Sequence, residues 1–209
     1  MAVRSQPSRS LLRRTLGQSA LVGVAAYVLG YLLTLVFMLV DGVEFGGEAG
    51  RLKVAGWVFF ATHLVDLRLT GAAGGRSASG TVDVFGGLGQ LANLTSTVPE
   101  LLYLLVPIVV LVGTSLFLVR RVADGRTTVG TAAGVGASVA AGYLPMAVVG
   151  QFLFSHTETG FGGAASVTVA PDLLSSVLLA GIVYPLVCGV VGGVLGQQMR
   201  GDRSSEYRM

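Results

Sequence analysis

The chain has 209 residues, of which 52% are hydrophobic and only 12% charged, and its mean hydropathy is +0.74. Soluble domains carry about twice that share of charge, so an ordinary water-soluble globule is excluded, while 31 glycines among so many apolar residues suit close helix packing in a bilayer. The single cysteine, Cys188, excludes an internal disulfide and any multi-cysteine metal centre; the net charge of +3 matters less than where the charges fall.

Residues 1–18 form a basic tail that includes Arg4, Arg9, Arg13 and Arg14. The first apolar run, Ser19–Val40, carries no charge. A helix needs about 20 apolar residues to cross about 30 Å of hydrocarbon. This run exceeds the roughly 7–15 residues of a signal-peptide core and lacks a small-residue cleavage site, so it is expected to stay in place as a span.

Residues 41–100 read as a long loop with one ambiguous segment, GWVFFATHLVDLRL. Its apolar core, Val54–Val65, would reach about 18 Å as a helix, too short to cross. The expectation is an interfacial or re-entrant helix over about residues 52–68, with Thr62, His63 and Asp66 on one side and Trp57, Phe60 and Leu64 mostly elsewhere. Further along, GTVDVFGG alternates as a short strand does. Asn93-Leu94-Thr95 is a glycosylation sequon close to the next span, which leaves its use open. Thr97 and Glu100 have the spacing of a capping box, with Pro99 in the first turn.

Leu101–Val119 is the second span, with Tyr103 and Pro107 inside it. Val129–Phe154 is the third, opening on Gly130-x-x-x-Gly134 and carrying Tyr143 and Pro145. Residues 155–172 form a second loop. It holds His156 and Glu158, and its SVTVA piece could pair with the earlier strand as a small sheet over the bundle, mobile loops being the alternative. Pro171 and Asp172 introduce the fourth span, Leu173–Leu195, and set an acid at the positive end of its helix. That span contains Tyr184, Pro185 and Cys188, with Gly189-x-x-x-Gly193 and Gly192-x-x-x-Gly196 towards its end. The membrane domain is thus residues 19–196, and residues 197–209 form a second polar tail.

If only these four runs cross, ten of the 14 cationic residues share one face with the tails, and that face carries +7 against −4 on the other. If residues 54–65 also crossed, the cations would split six against eight, with RRVADGR on the wrong side. The positive-inside rule therefore favours four spans with both termini cytoplasmic.

Small-xxx-small spacing at Gly130, Gly134, Gly189, Gly192, Gly193 and Gly196 lets helix backbones approach closely, chiefly within one chain and alternatively at a dimer seam. Pro107, Pro145 and Pro185 each follow a tyrosine, Tyr103, Tyr143 and Tyr184, and a mid-span proline frees a carbonyl. Such breaks can line a solute path at the midplane, although prolines are also simply tolerated in spans. His63, Asp66, His156 and Glu158 have the chemistry of zinc ligands, but nothing in their spacing requires a metal, and hydrogen bonding at the interface is the plainer role. None of the four runs contains Asp, Glu, Lys, Arg or His, whereas ion-coupled transporters usually keep such a residue inside the membrane. There is no P-loop, nucleophile elbow, HExxH or dinucleotide fingerprint, so neither catalysis, a cofactor nor nucleic-acid binding is expected.

DGVEFG after the first span, then KVAGWVFFATH, then LLYLLVPIVVLVG, together with one lysine against thirteen arginines, resembles a family of uncharacterised haloarchaeal multi-pass membrane proteins. The resemblance covers about Gly17 to Gly196 and implies an archaeal cell membrane without implying an activity. The expected fold class is an all-α polytopic membrane protein: a four-transmembrane-helix bundle with a short interfacial or re-entrant helix on its outer face. The expected function is a non-enzymatic structural or accessory component in contact with the lipid bilayer and with a membrane-protein partner or another copy of itself. A small-solute transporter or channel is the alternative.

Overall fold

A computed structural model describes residues 9–43, 50–88, 95, 97–123 and 127–206, with backbone alone for 9–16, 161 and 200–206. Asn93 lies outside the described residues. Four helices are long and apolar enough to cross a membrane: Gly17–Val40, Glu100–Val122, Val129–Leu153 and Leu173–Met199. The first belongs to α1, Arg9–Val40, and the second is α3, Glu100–Val122. Arg120 and Arg121 extend α3 past its apolar run, since cations suit the negative end of a helix.

The third span is discontinuous. Thr128 caps α4, Val129–Ala137, by accepting from the Thr131 amide at 3.2 Å. The helix then breaks at Ser138 and Val139, where Ser138 Oγ bonds the Val135 carbonyl and lies 2.7 Å from Ser19 Oγ on α1. It resumes as α5, Ala140–Leu153, with Pro145 inside it. The fourth span opens with the turn Leu173–Ser175, continues as a π-helical stretch over Ser176–Val183, and becomes α6, Tyr184–Glu206. Asp172 caps it, accepting from the Ser175 amide.

Between the first two spans, α2 covers Gly50–Ala61. It is shorter than the 52–68 stretch expected for the interfacial helix, because the chain turns at once into an end cap. Val65 N bonds Phe60 O and Leu64 N bonds Ala61 O, with Leu64 held at φ 60. This is the Schellman pattern, with leucine where glycine is usual. The chain then enters β1, Leu67–Ala73, returns through Gly74 and Gly75 at φ 56 and 77, and forms β2, Arg76–Val82. Positive φ at both residues is what a type I′ hairpin turn requires.

The second loop supplies β3, His156–Gly160, and β4, Ala165–Pro171. All pairings are antiparallel in the order β2-β1-β4-β3, with Leu67 opposite both Val82 and Pro171. The protein is therefore not purely helical: a four-stranded sheet caps one end of the bundle. The two strand-like pieces of sequence do not pair with each other, since β1 stands between β2 and β4. The expected capping box is also replaced. Pro99 occupies the N-cap of α3 without a side-chain bond, and the nearby amides go to Asp41 instead.

Leu67, Leu69 and Val169 face the bundle and pack with Met38, Ala55, Val58 and Tyr103. Both ends of α2 stay at the sheet end, because Lys53 Nζ in its first turn donates to Ser155 O at 3.0 Å and its last turn feeds β1. Its Phe59 and Phe60 pack in the central core with Tyr27, Val106, Tyr143 and Cys188.

Candidate functional site

Termination of α2 leaves the Phe59 carbonyl without an amide partner, because His63 N bonds Phe60 O instead. Side chains fill the vacancy: Thr62 Oγ1 donates to Phe59 O at 2.7 Å, and His63 Nδ1 lies 2.9 Å from the same oxygen. A carbonyl only accepts, so Nδ1 carries the proton. In the neutral ring Nε2 is then the acceptor, and the Tyr143 hydroxyl, 2.7 Å away, donates to it. His63 has no exposed surface and Tyr143 is 1% exposed. A charged imidazole there would be poorly solvated, whereas this neutral tautomer has both nitrogens bonded.

Tyr143 and Tyr184 each lie near the middle of a span, so His63 reaches well inside the bundle although it belongs to no span. The Tyr184 ring stands 5.1 Å from the His63 ring, Phe59 4.9 Å, and Tyr27 packs edge-on against Tyr143 at 5.2 Å. The buried Tyr27 hydroxyl has no hydrogen-bond partner among the described residues. His63 and Asp66, expected to share a helix face, separate here: the imidazole is buried, and Asp66 is exposed with its carbonyl accepting from Asp172 N. The interfacial role read from sequence does not hold for His63, because the turn at Leu64 directs it inward.

Tyr103 belongs to a different centre. Its hydroxyl donates to Asp41 Oδ2 at 2.7 Å, and Asp41 also accepts the amides of Thr95, Thr97 and Val98 at 3.0, 2.7 and 2.6 Å. Burial acts to raise the Asp41 pKa, but these four hydrogen bonds together hold it below the ordinary value. Asp172 is also held low, first by the Ser175 amide, against burial, and then by the Ser175 hydroxyl and the Arg68 guanidinium at 2.7 Å.

His156 lies at the sheet end, its Nδ1 3.4 Å from Lys53 Nζ and its Nε2 3.6 Å from Glu158 Oε1. Among the described residues no three His, Cys, Asp or Glu side chains converge as metal ligands. Pro107 is buried in α3 beside the core, and Pro145 and Pro185 lie close in sequence to Tyr143 and Tyr184. The glycines divide. Cβ atoms on Gly189 and Gly193 would strike the α4 backbone at Gly136 and Ala132, one on Gly192 would strike the α3 backbone at Val112, and one on Gly196 would press closely on Leu116. Gly130 and Gly134 face open space instead.

Asp41, Tyr27 and Lys53 are the polar members to which sequence reasoning gave no role, and Thr62, placed on the His63 side, was not expected to cap Phe59 O. Their only signal is a polar residue set in or beside an apolar run.

The described residues thus hold four helices long and apolar enough to cross a membrane, with a buried histidine pinned by tyrosine among them, the features of a multi-pass membrane protein. The chain belongs to a family of unknown function, DUF7978, which matches residues 1–200. No curated protein and no solved structure matches it.

Proposed function

We propose that this chain is a non-enzymatic structural or accessory component of a cell membrane, with both tails cytoplasmic and the sheet outside. The observation that carries the reading is the saturation of His63. The one histidine within the bundle has both nitrogens bonded and no solvent contact, so it serves as a pin between α2 and the third span rather than as a carrier of protons or solute. Sidedness follows the excess of arginine on the tails and on the short Arg120–Thr128 connection. The scarcity of lysine and the acids gathered in the sheet-end loops favour an archaeal, salt-adapted source. Its partners on this reading are lipid and a membrane protein, either another chain or a second copy, and it uses no cofactor.

A second reading, solute transport, is favoured by one observation. The break at Ser138, Pro145, and the π-helical stretch before Pro185 flank the His63–Tyr143–Tyr184 cluster, and irregular helices often mark functional sites. Solute uptake and conductance in liposomes separate the two. The accessory reading expects no flux above empty vesicles and stable copurification of a membrane partner. A flux lost in His63→Phe, or in the combined alanine variant of Pro107, Pro145 and Pro185, would overturn it.

A further inference from the structure

A crevice of about 470 Å³ opens sideways between α1 and α5, alongside the first turn of α2. The two helices touch closely where Gly23 meets Val139 and Gly142 meets Ala20, and further on the stacked rings of Tyr31 and Phe154, 5.4 Å apart, lie between them. The walls are Tyr27 and Val28 on one side and Met146, Leu153 and Phe154 on the other, and they are almost wholly apolar. Apart from Phe154 at the helix end, the named wall residues belong to candidate spans, so the slot lies between helices suited to hydrocarbon, and its volume suits an elongated apolar ligand.

Lys53, the only lysine in the chain, stands at the rim. Its ammonium has three N–H groups. One bonds Ser155 O at 3.0 Å and a second reaches His156 Nδ1 at 3.4 Å, which leaves a third. Among the described residues no carboxylate lies within ion-pair distance of Lys53; Glu158 is on the far side of the His156 ring. A half-buried cation with no counter-ion among the described residues, beside an apolar slot between two candidate spans, is complementary to one kind of molecule.

We propose that this crevice binds a membrane lipid with an anionic phosphate head group: one hydrocarbon chain fills the wedge and the phosphate takes the third N–H of Lys53. The site depends on the spans and not on the accessory reading.

Trp57, the only tryptophan, donates its indole N–H to Phe154 O at 2.7 Å and so reports on the crevice wall in the unaltered protein. The experiment reconstitutes the full chain in neutral vesicles and titrates in lipids with brominated chains, which quench tryptophan at short range. Brominated phosphatidylglycerol should reach half-quenching at a mole fraction about fivefold lower than brominated phosphatidylcholine. Lys53→Gln should bring the two together, Lys53→Arg should preserve the gap, and Val28→Phe, which narrows the slot, should weaken quenching by both. Equal half-quenching in the unaltered protein overturns the proposal without requiring any variant to fold. A preference that survives Lys53→Gln, or quenching by both lipids that Val28→Phe leaves unchanged, overturns it as well.

Discussion

Asp41 ends the first span and gathers three amides and the Tyr103 hydroxyl onto one carboxylate that is 7% exposed. Each charge-assisted bond contributes about 1.5–3 kcal/mol where it replaces water, and part of that sum offsets the burial of the charge. Asp41→Ala should therefore lower stability by about 3 kcal/mol, read as a drop in the thermal midpoint in one fixed detergent. The sign with pH follows from the lowered pKa values of Asp41 and Asp172. Protons bind the unfolded chain more readily than the folded one, so the contribution is complete above the ordinary value of 3.8 and is lost as pH falls through the lower folded values. Buried neutral His63, its pKa pushed down to about 4 by burial, adds a gentler loss below the ordinary imidazole value of 6.5, because only the unfolded chain takes that proton readily; the midpoint should then fall more steeply below about 4, with a shallower acid limb in Asp41→Ala. At His63 the corresponding change is Tyr143→Phe, which leaves Nε2 buried and unbonded and should cost about 1–3 kcal/mol by the same measurement. Neither centre was legible in the sequence, because Tyr143 lies 80 residues from His63 and Val98 lies 57 from Asp41. Local spacing carries no trace of such pairings.

At the scale of elements, glycines that look alike in sequence behave differently. A methyl group on Gly142 would overlap the Ala20 carbonyl, and one on Gly136 the Gly189 carbonyl. Gly142→Ala and Gly136→Ala must push helices apart and should each cost about 1–3 kcal/mol. Gly130→Ala and Gly134→Ala meet nothing within 4 Å and should be neutral or stabilising by up to about 1 kcal/mol. Thermal midpoints of the four single variants check the division, and an equal loss in all of them would refute it. The four-residue spacing identified Gly189, Gly192, Gly193 and Gly196 but passed over Gly136 and Gly142, whose partners are backbone atoms of other helices. The end of α2 was hidden for a related reason. Leucine holds the position that glycine usually signals, and no Gly or Pro marks the turn between Ala61 and Leu67.

For the whole molecule, sidedness is the property that a labelling experiment reads. With Cys188 replaced, single cysteines at Ser77 on β2, Ala123 after α3 and Ser205 near the C-terminal end report the two faces. A membrane-impermeant reagent applied to intact cells should label Ser77→Cys and not the other two; labelling of all three, or of Ser205→Cys alone, would refute the arrangement. The four long helices were legible because a bilayer demands about 20 apolar residues of any crossing helix, and only those runs meet the demand. The sheet was half legible: SVTVA and the start of GTVDVFGG alternate, whereas HTETG is polar throughout, and in LRLTGAA the first two residues read as the end of a helix and TGAA as a small-residue loop.

The sheet also sets a timetable for synthesis. Arg68 on β1 and Asp172 after β4 are 104 residues apart, and the second and third spans lie between them. At about 5–20 residues per second a ribosome needs roughly 5–20 s to cover that distance. Through that interval the β1–β2 hairpin has already emerged while its inner edge has no neighbour, and α2 cannot complete its seat until α5 and α6 arrive. Maturation of this protein thus closes from the far end of the chain, and its exposed hairpin edge is the stage at which a chaperone or a premature stop would have most effect.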